Sequence, residues 1–449
     1  MKPYKILLPA IITIALAACS KVLDEKSDQS LVVPTRIAEF QAIFDYPQHN
    51  RGGIAEPDQS TDNFWLRDID FNIIDEYDRN LYKWNAGYHI PPDFNCWQRS
   101  YKVVYLSNLV IEGLAEIPVN DANRENWNDV MGQALFHRGR TFYMLTTVFG
   151  LQYDAATADE LMGIPIRLNS NFNEPSSRAT LEASYAQVLQ DIKASVRLLP
   201  VETIHKIRPS KPAAYALLAR IYLTMKDYTK AGLYADSSLQ LHSELINFNT
   251  LNPAANQPMT KYSKEEIYHS NATLRALASP TYARVDSNLY RSYAVDDLRK
   301  TIYFRSNTDG TFRFKGSYEP SSQYFDGLAT DEVLLIRAEC RARQNDVAGA
   351  MEDLNTLLVT RWKTGTFVPF TAGSGQEALS IILTERRKEL INRTLRWTDI
   401  KRLNSEGANI VLKHIVAGVE YTLPPNDLRY AAPIPEDLIQ LTGLPQNPR

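Results

Sequence analysis

Cysteine is scarce in this chain, with three residues among 449. Cys19 ends an N-terminal apolar segment, which leaves only Cys96 and Cys340 for a disulfide, and sequence alone does not decide whether they pair. A framework of several disulfides is therefore excluded, so burial of apolar surface must hold the fold together.

A charge excess of either sign is also missing, because 49 Lys and Arg face 52 Asp and Glu. A near-neutral chain has no broad positive field for a phosphate backbone. Nucleic acid is therefore not expected as a partner.

Motifs for catalysis and metal binding are absent as well. The seven histidines are scattered, without a helical pair at metal spacing, and there is no Cys-x-x-Cys, G-x-S-x-G or phosphate-binding glycine loop. We therefore predict a protein that is not an enzyme and that holds no metal and no cofactor. A glycoside hydrolase that uses two distant acids, such as Asp62 and Asp286, is the remaining enzymatic alternative, because paired carboxylates need no local motif.

The N-terminus has the parts of an export signal. Lys2 and Lys5 precede an apolar run over 7–18, and Leu16-Ala17-Ala18-Cys19 closes it. The pattern resembles a bacterial lipoprotein signal, with residues 1–18 as the signal peptide and Cys19 as the lipidated new N-terminus. A plain signal peptide and an uncleaved anchor are the alternatives. No later stretch approaches the roughly 20 apolar residues of a membrane helix, so we expect membrane attachment by lipid only.

Helical periodicity dominates the rest of the sequence. Apolar residues at three-to-four spacing predict helices over 127–149, 181–199, 211–241 (as a two-helix hairpin), 331–361 and 376–403. On the last helix, Glu389 with Arg393 and Arg396 with Asp399 are spaced to pair one turn apart.

Two of these segments resemble tetratricopeptide repeats. The first has Leu218, Ala219, Tyr222 and Ala231 at the packing positions, and the second has Ala338, Ala350, Leu354 and Leu357. The small residues predict close helix contact, so Ala219 and Ala231 are expected in the core. The two units do not recur at a fixed period, which excludes an uninterrupted solenoid, and two unrelated hairpins remain the alternative.

Two long excursions interrupt the helices, over about 47–92 and 247–322. Only brief strands are expected there, around 301–304 and 312–314. We therefore predict a mainly α fold with tetratricopeptide-like units over about 131–241 and 331–403. The excursions should contain a few short strands. Together with these units they are predicted to form a single domain over 19–449.

The excursions are where we expect a ligand site, because recognition residues concentrate on loops carried by a rigid scaffold. A carbohydrate site needs aromatic planes beside amide, carboxylate or guanidinium groups. The candidate residues are Asp62, Asn63, Phe64, Trp65, Arg67, Tyr82, Tyr282, Asp286, Asn288 and Tyr290. Burial in the core or, for Asp62 and Asn63, capping of a turn is the alternative role. Four other tryptophans, Trp84, Trp97, Trp362 and Trp397, are predicted to be core residues.

Several motifs, in this order, resemble one family. They are Val22-Leu23-Asp24 after the lipoprotein cysteine, 134–140 running into Phe149-Gly150 and Gly163-Ile164-Pro165, the tetratricopeptide-like 213–241, 296–299 with Lys315-Gly316, 387–390 with 396–402, 430–435, and Gln446-Asn447-Pro448. Together they resemble the SusD/RagB family over nearly the whole mature chain. The chain departs from the family at Asn392-Arg393-Thr394, where Phe-Glu-Gly is usual. The family's charge pairs on that helix are therefore not assumed for this chain.

The resemblance implies an outer-membrane lipoprotein, facing the cell exterior, that captures an oligosaccharide or similar polymer. It also implies that the ligand is delivered to a SusC-like TonB-dependent transporter, and that the tetratricopeptide-like hairpins form the surface that contacts this transporter. A peptide or glycoprotein ligand within the same family is the first alternative. A protein-binding helical-repeat scaffold is the other.

Overall fold

The computed structural model describes residues 34–46, 53–87, 90, 96–321 and 323–449. The predicted signal peptide and Cys19 lie outside the described residues, as do parts of the first excursion. None of the described helices is both long and apolar enough to cross a bilayer.

Fifteen α-helices form most of the described structure. They are α1 (Ile37–Asp45), α2 (Asp68–Ile73), α3 (Glu76–Tyr82), α4 (Cys96–Ala115), α5 (Arg124–Phe149), α6 (Leu181–Leu198), α7 (Lys211–Thr224), α8 (Tyr228–Leu239), α9 (Ser287–Ser292), α10 (Arg299–Ile302), α11 (Thr330–Arg343), α12 (Val347–Leu358), α13 (Gly375–Glu389), α14 (Arg396–Ser405) and α15 (Glu436–Thr442).

The described strands form five two-stranded antiparallel sheets. The strands are β1 (Phe64–Trp65), β2 (Glu266–Tyr268), β3 (Asn271–Ala272), β4 (Arg284–Val285), β5 (Phe304–Ser306), β6 (Phe312–Phe314), β7 (Tyr324–Phe325), β8 (Leu328–Ala329), β9 (Leu412–Val416) and β10 (Val419–Leu423). The pairs are β1 with β4, β2 with β8, β3 with β7, β5 with β6, and β9 with β10. The prediction of a mainly helical fold with few short strands is confirmed.

Side-chain caps explain where the scaffold helices begin. Thr180 accepts a hydrogen bond from the third residue of α6, Ser210 from that of α7, and Asp227 from that of α8. Each cap satisfies a backbone N–H that has no partner inside the helix. Ser, Thr and Asp at these positions therefore set the start of each helix.

The long helices pack in chain order from α4 to α8, and α11 then packs against α8. The two predicted hairpins, α7 with α8 and α11 with α12, are therefore neighbours although a long segment separates them in sequence. Ala219 and Ala231 are fully buried, as predicted. Arg220 on α7 and Glu332 on α11 form a buried ion pair at 2.6 Å that joins the hairpins.

The excursions contain more regular structure than the sequence indicated. The first contains the short helices α2 and α3, and the second contains five of the strands and the helices α9 and α10. The segment around 301–304 begins as the helical turn α10 and becomes a strand only at Phe304, whereas Phe312–Phe314 is the predicted strand.

The prediction of one helix over 376–403 is wrong. The helix ends at Glu389 and a new one begins at Arg396, because Asn392 and Thr394 adopt left-handed backbone with φ of 55° and 57°. Neither predicted one-turn ion pair forms. The break separates Glu389 from Arg393, so Glu389 pairs with Arg299 and Arg361, and Arg393 with Asp331. Arg396 pairs with Asp62, and Asp399 with Arg386 and Arg402.

The core confirms most of the tryptophan predictions. Trp84, Trp97 and Trp397 are buried, and Trp362 packs half-buried against the main cluster. Cys96 and Cys340 are both buried and are not joined by a disulfide.

A buried histidine predicts a pH-dependent stability. His269 Nδ1 lies 2.5 Å from Glu266 and its Nε2 lies 3.3 Å from Glu319. Burial lowers the pKa of His269, but the hydrogen bonds to Glu266 and Glu319 outweigh it, so the pKa is raised. A histidine whose pKa is higher in the folded than in the unfolded state stabilises the fold. This stabilisation is complete at pH values below the unfolded-state pKa and is lost as the pH rises through the folded-state pKa.

We therefore expect His269→Gln to lower the urea midpoint more at pH 6 than at pH 8. Glu319 does not interfere, because its pKa is lowered to about 2. Other groups titrate near neutrality, so the quantity to measure is the difference between the wild type and the variant at each pH. A difference that is constant from pH 6 to pH 8 would contradict the expectation.

Candidate ligand-binding site

The two excursions meet in a short antiparallel sheet. Phe64 of β1 lies opposite Val285 of β4, and Trp65 lies opposite Arg284. The backbone N–H of Asp286 donates to the carbonyl of Asn63 at 2.9 Å. The structure thus brings together two groups of predicted site residues that are more than 200 positions apart in sequence.

Asp62 and Asn63 are used within the protein. The Asp62 carboxylate accepts two hydrogen bonds from Arg396, both at 2.8 Å, and pairs with Arg387 at 3.0 Å. Burial opposes ionisation, but these two guanidinium groups hold the pKa of Asp62 below its usual range. An acid held ionised in this way is unsuited to donate a proton, so Asp62 could not be the general acid of the hydrolase alternative. Asn63 is buried, with its amide facing Asn392.

Phe64 and Tyr82 are interior residues. Phe64 is buried, and Tyr82 is completely inaccessible, with its hydroxyl accepting from the Leu66 N–H at 3.0 Å. The Tyr82 ring stacks on His414 at 3.7 Å between centroids. Both rings are packed against other side chains in the interior and cannot stack on a ligand. The prediction that Phe64 and Tyr82 are ligand-binding residues is therefore wrong.

Trp65 and Arg67 remain accessible on this segment. Trp65 is half-buried at the sheet edge, since alternation along β1 turns it away from the side that buries Phe64. Arg67 donates to Asp70 at 2.6 Å and to Asp309 at 3.3 Å, yet its side chain stays 41% exposed. Trp65 is therefore the stacking surface that this segment offers.

The residues after β4 have mixed roles. The Asp286 carboxylate caps α9 by accepting from the Leu289 N–H at 2.7 Å, and Tyr282 packs half-buried against the main core. Asn288 is exposed and accepts from Arg291. Tyr290 stacks on Phe312 with 3.5 Å between ring centroids, so one face of its ring is already covered. Asn288 is thus the one of these four that is open to solvent.

Sequence reasoning missed the hairpin β5–β6, which packs beside β4. Its loop contributes Asp309, which contacts Arg67 and lies 3.7 Å from Arg284. Phe312 and Phe314 are half-buried on the hairpin. The alternating Phe312-Arg313-Phe314 pattern signalled a strand, but nothing in the sequence showed that this strand lies beside β4.

A groove of about 500 Å³ lies elsewhere, between α4, the 165–176 loop and α15. It contains none of the predicted site residues, and much of its polar lining is already hydrogen-bonded. Tyr101 donates to the Pro165 carbonyl at 2.7 Å, and Asn108 donates to the carbonyls of Arg167 and Asn169 at 3.0 Å each. These groups are therefore not free for sugar hydroxyls, and we favour the face around Trp65.

Two stretches of the chain match family models. Residues 21–223 match the model described as "Starch-binding associating with outer membrane". Residues 330–448 match the model described as "SusD family".

Individual relatives extend the similarity to nearly the full length. The SusD-like protein P2 of Formosa agariphila is 23% identical, over 90% of this chain and 91% of its own. A SusD superfamily protein from Bacteroides thetaiotaomicron shares the fold with a TM-score of 0.74 at 21% identity, covering 92% of this chain and all of the other. A laminarin-binding SusD-like protein has a TM-score of 0.65 at 17% identity, covering 92% of this chain and 98% of its own.

The order of the sequence motifs, the helical scaffold and both family matches agree. The chain belongs to the SusD/RagB family of glycan- and nutrient-binding, non-catalytic proteins associated with the outer membrane.

Proposed function

We propose that this protein captures a glycan on the face formed by β1, β4 and the β5–β6 hairpin, with Trp65 as the stacking platform. The observation that carries the proposal is the β1–β4 pairing, which places Trp65 and Arg67 beside the second excursion. Sugar rings have apolar C–H faces that pack on an aromatic plane, and their hydroxyls need nearby polar partners. Both kinds of group are present here.

The family relationship supports a glycan as the ligand class. The similarity to a laminarin-binding protein is one of fold, and the family description names starch. We propose further that lipidated Cys19 anchors the protein to the outer membrane, facing outward, and that a SusC-like TonB-dependent transporter receives the ligand. The export signal at residues 1–19 supports the anchor, and family membership supports the transporter.

Trp65→Ala is expected to weaken binding of a glycan identified by array screening. The loss should be roughly tenfold, or about 1.4 kcal/mol, because the variant removes the stacking plane and leaves the ion pairs below it. Calorimetry on the protein lacking residues 1–19 measures the affinity. Ligand-induced change in tryptophan fluorescence should also be strongly reduced in Trp65→Phe, since Trp84, Trp97 and Trp397 are buried and the half-buried Trp127 and Trp362 pack against other parts of the core.

Phe172→Ala is the matched control, because Phe172 is an aromatic residue that is 81% exposed and lines the α4–α15 groove. It should leave affinity unchanged. If Phe172→Ala weakens binding and Trp65→Ala does not, the ligand binds in the groove and the proposed site is wrong.

A further inference from the structure

The β5–β6 hairpin holds two arginines directly opposite each other. Its register pairs Arg305 with Arg313, and the Lys315 N–H continues the ladder by donating to the Tyr303 carbonyl at 2.7 Å. Arg305 and Arg313 therefore share one side of the ribbon. Opposed residues lie about 5 Å apart at Cβ, and like charges in that position destabilise a sheet. The stability of the hairpin therefore gives no reason for two arginines at these opposed positions.

Among the residues that the structure describes, no carboxylate forms an ion pair with any of these three cations. Arg305 and Arg313 form no ion pair or hydrogen bond with any residue in the described parts of the chain, and Lys315 donates only to the backbone carbonyls of Pro253 and Ala255. Burial and the Arg305 charge lower the pKa of Lys315.

The neighbouring arginines behave differently. Arg67 pairs with Asp70 and Asp309, and the same two acids lie within 4.0 Å of Arg284. The acids close to this face are thus engaged by Arg67 and Arg284, which leaves the charge of the hairpin uncompensated.

Strand alternation turns the two hairpin arginines and Trp65 away from one core cluster. Phe304 is buried in the second core cluster together with Val285, and Phe312 and Phe314 pack against that cluster. Alternation then turns Arg305 and Arg313 to the opposite, outer side of the hairpin. In the adjoining sheet, Val285 belongs to the same cluster, so alternation places Arg284 and its partner Trp65 on the other side of β4 and β1, where Arg284 is buried and Trp65 is half-buried.

We propose that the ligand of this face is an anionic polysaccharide, whose acidic groups are bound by Arg305 and Arg313 with Lys315 while a sugar ring packs on Trp65. This inference rests on the proposed glycan site. A guanidinium presents a planar set of donors that matches a carboxylate or a sulfate ester, and such charge-assisted hydrogen bonds are strong. An acidic group here would also relieve the repulsion between the opposed arginines.

The test uses the protein lacking residues 1–19 and two matched pairs of polymers. Dextran sulfate is compared with dextran, and polygalacturonate with its methyl ester, so each pair differs in charge on one backbone. We expect one anionic polymer to bind, its neutral counterpart to bind at least about tenfold more weakly, and the affinity to fall with added salt. The sulfate and carboxylate arms identify which acidic group is bound.

Arg305→Gln/Arg313→Gln should weaken binding of that polymer about tenfold or more, since charge-assisted hydrogen bonds are lost. Arg291→Gln is the control, because Arg291 is exposed and contacts only the nearby Asn288. The melting temperature of the double variant should not fall, because the change removes repulsion. Loss of affinity equal to that of Arg291→Gln, or absence of binding in both anionic arms, would overturn the inference.

The outcomes separate this inference from the proposed function. Binding of a neutral polymer that depends on Trp65 but not on Arg305 and Arg313 overturns the anionic ligand and keeps the glycan site. Binding of an anionic polymer that depends on the arginines but not on Trp65 keeps the anion site and overturns the stacking platform.

Discussion

Arg361→Met is expected to lower the free energy of unfolding by about 3–5 kcal/mol, because it leaves buried carboxylates without their counter-ion. Arg361 is completely inaccessible; it contacts Glu389 at 2.7 Å, pairs with Glu265 and donates to the Ile246 carbonyl at 2.8 Å. The carboxylates of Glu265, Asp331 and Glu389 lie within 4.8 Å of one another. Arg299 and Arg393 supply the other positive charges of this cluster.

The pH dependence of this variant gives a second readout. Burial raises the pKa of Glu265 to about 7, although Arg361 opposes that shift. Without Arg361 the carboxylates should take up protons on folding, so the deficit of the variant should shrink as pH falls from 7 to 5. Urea denaturation of the wild type and the variant at pH 7 and pH 5 measures this deficit.

Lys413→Met is the control for Arg361→Met. Lys413 and Glu420 form an ion pair at 3.2 Å in which both side chains are more than half exposed. Its loss should cost no more than about 1 kcal/mol. An Arg361→Met protein as stable as the Lys413→Met protein would show that the buried cluster does not need its arginine.

Ala231→Phe is expected to destabilise the fold by about 1–3 kcal/mol through overpacking, or more if the helices cannot separate. Ala231 is fully buried on α8, between its hairpin partner α7 and the neighbouring α11. The contact is close: a Cβ at Gly232, the next residue, would lie 3.1 Å from Cys340 Cβ on α11. Because Ala231 is fully buried on a helix packed this closely, a phenyl ring there should push the helices apart.

Leu233→Phe on the same helix is the matched control, because Leu233 is 64% exposed. It introduces the same ring and should change the urea midpoint little. Equal stability of both variants would contradict the tetratricopeptide-like packing of α7 and α8.

The candidate site shows where sequence reasoning reached its limit. Residue type and loop position were enough to select the segments around Trp65 and Asp286, which the structure places side by side. They were not enough to separate Trp65 from Tyr82, because both are aromatic residues in the same excursion. Burial separated them, and burial depends on His414, which lies more than 300 positions further along the chain.

The last helices show the same limit for charge. Spacing along a helix predicted that Glu389 pairs with Arg393 and Arg396 with Asp399. The helix ends at Glu389 and the left-handed residues Asn392 and Thr394 flank Arg393, so Glu389 and Arg393 reach distant partners instead. Arg396 and Asp399 do lie on one helix, α14, but Arg396 pairs with Asp62 of the first excursion, and Asp399 pairs with Arg386 and with Arg402. Spacing along a helix does not by itself decide an ion pair, because charged groups from other segments compete for the same partner.

The sequence alone determined the helical scaffold, the two packed hairpins with their small residues, and the family, because periodicity, capping residues and motif order are local properties of the chain. Only the tertiary structure decided which loop residues face solvent, which acids pair with which arginines, and that the β5–β6 hairpin packs beside β4, the strand that pairs with the Trp65 strand. Those features depend on strand register and on contacts between segments far apart in the chain. Such contacts produce no local pattern in the amino-acid sequence.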